Sequence, residues 1–299
     1  MERIVIAGGT GFLGKALEAF FEKRGYEVMI LTRNPRNPNH HKWDGRTIGP
    51  WWELLEDAQA IINLAGKSVN CRYNERNKQR ILASRIDSTS VIGQAIQACE
   101  KPPKYWVQSS TATIYDDTRG DLPANTEDVI PTGNDFSVYV AKTWEETFQS
   151  IETPDTKRLL LRTAIVYGQS GGAFPVIKQL AEKGLCSPQG SGDQWISWIH
   201  EEDFCRSVDY LMNLGATGVF NLAAPNPIQN STFSDLLRKH IQVPIAIPQP
   251  TWMLEIGAAL MRTETELILK SRKVVPKRLL DRGYRFHYPT LPQAMNTLI

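Results

Sequence analysis

Ile4-Val5-Ile6-Ala7-Gly8-Gly9-Thr10-Gly11-Phe12-Leu13-Gly14 runs from an apolar stretch, through glycines at 8, 11 and 14, into an amphipathic one. The first stretch, Arg3 to Ala7, reads as a buried strand, and Gly11 to Arg24 has helical periodicity through Leu13, Leu17, Phe20 and Phe21, with Gly25 as its stop. The glycine spacing has a physical reading. Gly8 permits a tight turn, Gly11 lets a pyrophosphate approach the backbone, and Gly14 lets helix and strand pack closely. A helix start placed there offers free N–H groups and positive potential to phosphates.

The same alternation continues outward. Strands are expected at Glu27–Leu31, Ala60–Leu64, Tyr105–Gln108, Lys157–Arg162 and Val219–Leu222, with helices at Asn74–Cys99, Asp135–Ile151 and Asp203–Leu214. Apolar strands alternating with helices predict an α/β protein with a doubly wound parallel sheet, the Rossmann fold. Gly171 to Ser197 is rich in Gly, Pro and Ser and reads as a loop and lobe. Beyond Pro225 the chain is punctuated by prolines, with short helices expected near Phe233–His240 and Trp252–Met261. The expected division is a dinucleotide-binding domain of 1–168 plus about 200–224, interleaved with a smaller substrate lobe of 169–199 plus about 225–299.

Composition bounds the function. In 299 residues, 34 Lys and Arg oppose 32 Asp and Glu, a net charge of +2 that makes no electrostatic case for nucleic acid. Lys270 to Arg285 holds seven basic residues against Asp281 alone, read first as a solvated face and second as a lure for an anionic substrate. Arg72 to Arg80 reads as an exposed helix start. Cysteines 71, 99, 186 and 205 form no C-x-x-C pair and have no His at zinc-finger spacing, so free thiols in a reducing cytoplasm are expected and no metal. No apolar run approaches the roughly 18 residues of a membrane helix. A monomer and a homodimer both remain open.

The second strand ends at Thr32-Arg33. An acidic residue there would bind the ribose hydroxyls of NAD; Arg33, with Arg36 or Lys42, suits a 2′-phosphate, which favours NADP.

The glycine spacing, Asn63-Leu64-Ala65-Gly66 after the third strand and Ser109-Ser110-Thr111-Ala112-Thr113-Ile114-Tyr115 after the fourth resemble the extended short-chain dehydrogenase/reductases, and more narrowly their epimerase-like branch. Ser84-Arg85, Gly190-Ser191-Gly192 leading to Trp198-Ile199-His200, and the tail from Val275-Pro276-Lys277-Arg278-Leu279-Leu280 to Tyr288-Pro289-Thr290-Leu291 carry the narrower match over the whole chain. The resemblance implies NADP at the sheet's C-terminal edge. Gly8, Thr10, Gly11, Phe12, Leu13 and Gly14 would line the pyrophosphate, Thr32 and Arg33 the adenosine phosphate, Leu64, Ala65 and Gly66 the ribose, and Arg85 would lie near the cofactor.

Enzymes of the superfamily use a Ser or Thr, a Tyr, and a Lys four residues after it. Thr111 occupies the Ser/Thr place, where it would bind a substrate oxygen or serve as a strand-end threonine. Four residues before Lys142 stands Val138, whereas Tyr139 precedes it by three. Residues three and four apart are both helix neighbours, so Tyr139 stays a candidate phenol beside Tyr115. Trp195, Trp198 and His200 are candidate pocket walls, and His200 with Asp203 forms either an acid/base pair or a helix-start contact. Two functions follow: an NADP-dependent oxidoreductase or epimerase acting on a small polar substrate such as a nucleotide sugar, or an NADP-binding sensor or scaffold without turnover.

Overall fold

The computed structural model describes residues 1–243 and 270–299. Seven parallel strands form the central sheet: β1 (Arg3–Ala7), β2 (Glu27–Thr32), β3 (His40–Lys42), β4 (Ala60–Asn63), β5 (Tyr105–Thr111), β6 (Lys157–Thr163) and β10 (Gly218–Leu222). Their order is β10-β6-β5-β4-β1-β2-β3. The order reverses between β1 and β4, the place where such sheets open a ligand crevice at their C-terminal edge.

Alternate residues of the strands feed two cores. Ile4 and Ile6 join Leu17, Phe21, Ile30, Ile62 and Phe204 on one face. Val5 and Ala7 join Ile61, Ile92, Trp106 and Phe148 on the other. That double burial explains the unbroken apolar runs. Helix α1 (Phe12–Lys23) ends where Gly25 takes φ +83°, with Tyr26 N–H donating to the Phe21 carbonyl at 3.1 Å. Helices α2 (Glu75–Ala98) and α3 (Phe136–Ser150) start at Asn74 and Asp135, whose side chains accept from Asn77 N and Val138 N. Helix α5 (Glu201–Asn213) packs beside α1.

The expected helix at 203–214 thus begins two residues earlier, and the one at 233–240 is α6 (Asn230–Ile241). The helix expected at Trp252–Met261 lies outside the described residues. The stretch 171–197 is more than a loop: Phe174–Glu182 is a helix, α4, with Pro175 in its first turn, where a missing N–H costs nothing. Short strands β7 (Ile165–Tyr167) and β9 (Trp198–His200) pair in parallel, and β8 (Trp195–Ile196) pairs with β11 (Ile228–Gln229). Around them Tyr167, Phe174, Trp198, Phe233, Leu237 and Met295 form a third core.

The last described stretch crosses both regions. Ser197 Oγ donates to the Arg272 carbonyl and accepts from Val274 N, each at 2.8 Å. Leu279, in α7 (Lys277–Asp281), and Tyr284 pack in the sheet's core, while α8 (Leu291–Leu298) packs in the third.

Candidate active site

The β1–α1 turn is built by close approach. A Cβ on Gly8, which has φ +74°, would lie 2.9 Å from Ala65 Cα; one on Gly14 would lie 2.2 Å from the Gly9 carbonyl oxygen. Both glycines are therefore required by packing alone. Gly11 differs: a Cβ there meets nothing nearer than the Gly8 oxygen at 3.9 Å. Its glycine leaves open space above the turn. Gly11 is also the N-cap of α1 and gives the first turn no side-chain partner, and no acidic residue stands in that turn. The orphan N–H groups of α1 thus face an open, glycine-cleared cradle, which fits a phosphate.

Around the cradle, Thr10 and Gly11 are exposed, and Phe12 and Leu13 are half-buried. Leu64 N–H donates to the Ala7 carbonyl at 2.9 Å and Ala65 N–H to Asn63 Oδ1 at 3.0 Å, so the Leu64-Ala65-Gly66 turn is fixed against β1. Thr32 is buried at the end of β2, and its Oγ1 accepts from Asn34 N at 3.4 Å. Arg33 follows it, exposed, with no protein partner among the described residues. A cation held at that strand end suits a 2′-phosphate.

Arg85 lies behind Gly66; a Cβ on that glycine would sit 3.3 Å from the Arg85 guanidinium carbon. The guanidinium donates to the carbonyls of Lys67 at 3.2 Å and Ile81 at 3.0 Å and rests over Trp144 at 5.1 Å. Burial lowers its pKa to about 10.

Helix α3, which carries Tyr139 and Lys142, packs on the 112–114 turn between Thr111 and Tyr115, but among the described residues no hydrogen bond joins the four candidate catalytic residues. Thr111, half-buried at the end of β5, shares a 3.0 Å hydrogen bond with Thr113 Oγ1 and accepts from Thr113 N. Tyr139 is on the outer side of α3, 53% exposed, while Val138 beside it is fully buried. Lys142 Nζ donates to the Gly133 carbonyl at 2.9 Å rather than to a phenol. Tyr115 needs correction as a candidate. It is fully buried; its hydroxyl donates to Asn221 Oδ1 at 2.8 Å and accepts from Arg162 Nη1 at 3.0 Å. Arg162 is itself paired with Glu145 at 2.7 Å, and Ser110 Oγ donates to that carboxylate at 2.6 Å. Burial pushes the Tyr115 phenol up, the wrong direction for a base.

The lobe residues are likewise structural. Trp198 is fully buried and Nε1 donates to the Asn226 carbonyl, so it floors no pocket. His200 caps α5, Nδ1 accepting from Glu202 N at 3.1 Å, and Asp203 accepts from His287 N and Tyr288 N, both at 2.8 Å. The pair is a helix-start contact and a chain clamp. Trp195 lies under Lys273, whose Nζ is 4.5 Å from the ring centroid.

One part of the site escaped the sequence reading. Cβ atoms on Gly168, Gly171 and Gly172 would fall 2.5, 2.3 and 2.9 Å from the Phe12 ring. This loop seats on the first residue of α1, and Gln169 N–H donates to Glu201 Oε1 at 3.2 Å. Desolvation raises the Glu201 carboxyl. The signal was the glycine cluster after Tyr167.

Comparison with known proteins decides the family. The sequence profile described as the NAD dependent epimerase/dehydratase family matches residues 4–223. The chain belongs to that family. A second profile, a domain of unknown function (DUF1731), matches residues 249–298 of this family member. Epimerase family protein YfhF of Bacillus subtilis is 34% identical over 99% of this chain and 97% of its own. Human epimerase family protein SDR39U1 is 29% identical, covering 99% of both chains. The crystal structure of human SDR39U1 isoform 2 with NADPH superposes with a TM-score of 0.87 at 28% identity, over 99% of both. A nucleoside-diphosphate sugar epimerase from Corynebacterium glutamicum gives a TM-score of 0.78 at 25% identity, over 99% of this chain and 58% of that one. The fold is thus shared with these two solved structures.

Proposed function

We propose that the chain binds NADPH at the C-terminal edge of its sheet and uses it in an oxidoreductase or epimerase-type reaction on a small polar substrate. The observation that carries the reading is the uncapped start of α1 beneath the open space at Gly11. Gly8, Thr10, Gly11, Phe12, Leu13 and Gly14 would hold the pyrophosphate; Thr32 and Arg33 the 2′-phosphate; Leu64, Ala65 and Gly66 the ribose, with Arg85 behind them. The NADPH in the human SDR39U1 structure supports this choice of nucleotide. Bound there, the nicotinamide would supply hydride chemistry. Thr111 would hydrogen-bond a substrate oxygen, and Tyr139 would be the nearer candidate to Lys142 for proton transfer.

A second reading, cofactor binding without turnover, is favoured by one observation: Tyr139 faces solvent and Lys142 is spent on the Gly133 carbonyl. Titration calorimetry with NADPH and NADH tests the site. Arg33→Ala should weaken NADPH by ten-fold or more, at about 1.4 kcal/mol per ten-fold, and leave NADH unchanged. Equal loss for both nucleotides, or none, overturns the 2′-phosphate contact. Nicotinamide oxidation with candidate substrates then separates the two readings: Thr111→Val should abolish turnover without moving NADPH affinity.

A further inference from the structure

The basic run 270–285 does not act as one face. Its first part lies beside Ser197 and Trp195, but its end reaches α5, where Tyr210 Oη donates to the Arg282 carbonyl at 2.6 Å. There the Gly283–Arg285 turn, the end of α1 and the second half of α5 enclose a groove of about 340 Å³. Arg24, Arg206 and Arg285 line it, together with Asp209, Tyr210 and Asn213. Arg24 stands twelve residues after Phe12, so the groove lies about 18 Å along the helix from the phosphate cradle at ~1.5 Å per residue.

Among the described residues Asp209 is the one carboxylate lining the groove, and it is taken by Arg24 at 3.2 Å. Arg206 Nη1 shares a 3.2 Å contact with His287 Nδ1, and its Nε is buried without a hydrogen-bond partner. Arg285 is exposed and has no protein partner among the described residues. Glu202 Oε1 lies 2.7 Å from the same His287 Nδ1, which carries a proton when it donates to Glu202 and none when it accepts from Arg206. Of the three lining guanidinium groups only Arg24 has a carboxylate partner among the described residues, while Glu202 and Asp203 stand one turn before Arg206 on α5, and Asp203 is engaged by Tyr284 Oη and the backbone of 287 and 288. Arginine's planar fork matches phosphate oxygens, and Arg206 and Arg285 have no carboxylate partner among the described residues.

We propose that this groove is a binding site for a small phosphorylated anion of two or more negative charges, separate from the nucleotide crevice. Arg206 and Arg285 hold the phosphoryl oxygens, and Arg24 stays with Asp209 at the groove's edge.

The test is calorimetric titration of the full chain with inorganic pyrophosphate, before and after saturation with NADPH. The expected result is a site that persists once NADPH fills the nucleotide crevice and that weakens at least ten-fold in both Arg285→Ala and Arg206→Gln. Loss of all pyrophosphate binding under NADPH would assign the binding to the nucleotide crevice and overturn the proposal. So would pyrophosphate binding unchanged in Arg285→Ala, no binding at all, or equal binding of succinate, which would make the groove a carboxylate site. Arg285 is exposed and holds no other side chain among the described residues, so that variant folds even if Arg206→Gln does not. Failure of NADPH to bind would count against the proposed function and leave the pyrophosphate comparison intact.

Discussion

Two glycines three residues apart have opposite reasons to be glycine. Gly14→Ala drives a methyl into the Gly9 backbone, and backbone has little room to yield. It should cost about 3 kcal/mol or more, seen as a lower Tm and loss of soluble protein. Gly11→Ala meets no protein atom within 3.9 Å, so Tm should stay within a few degrees while NADPH affinity falls ten-fold or more. Calorimetry on the pair checks both, and equal loss of stability would sink the distinction. Tyr115→Phe removes a buried hydroxyl that both donates and accepts. It should destabilise by about 1–3 kcal/mol, measured by urea titration, with turnover per folded molecule unchanged. At this scale the cradle was legible because glycine spacing is dictated by backbone contact. Tyr115 was not: sequence places it beside the strand end, but Arg162 and Asn221, which draw its hydroxyl inward, come from β6 and β10.

Elements were legible in proportion to their length. The strands at 3–7 and 157–163 bury alternate residues in two cores, and such runs are visible without a structure. β3, with three residues, and β8, with two, are too short for any periodicity. Helix α4 hid behind Gly171 and Gly172, although Pro175 marks its first turn. Helix α5 supplies a pH-dependent element. His200 Nδ1 accepts the N-terminal N–H of Glu202, Nε2 lies 3.2 Å from Thr297 Oγ1, and Tyr288 covers the ring at 4.0 Å. Only an imidazole without a proton on Nδ1 can cap. Desolvation lowers the ring's pKa below 6.5, while Asp203 and Glu202 pull the other way. The unfolded chain then takes up the proton first. Stability is complete above about pH 6.5 and is lost as pH falls through the lower folded value. Tm measured from about pH 7.5 to about pH 5 should decline, and His200→Asn, which can cap without titrating, should flatten that decline. An unchanged slope in the variant would refute it.

Across the whole molecule, sequence-distant segments complete each core. Leu279 and Tyr284 sit among the sheet's apolar residues, and Glu127 accepts both Asn221 N–H at 2.9 Å and Arg278 N–H at 3.3 Å. Asp203 clamps the backbone of 287 and 288. No core belongs to a continuous stretch of chain, so calorimetric and van't Hoff enthalpies should agree for one transition; two resolved transitions would show separable units. The parallel sheet was foreseeable from strand–helix alternation, whereas this lacing was not, because nothing local in 271–290 announces its partners. The contact between α1 and α5 carries a last consequence, for the chain as it is made. On the ribosome, residues 12–23 emerge long before residues 201–213. At about 5–20 residues per second, the nascent helix keeps one flank uncovered for roughly ten to forty seconds, an interval in which a chaperone has something apolar to hold.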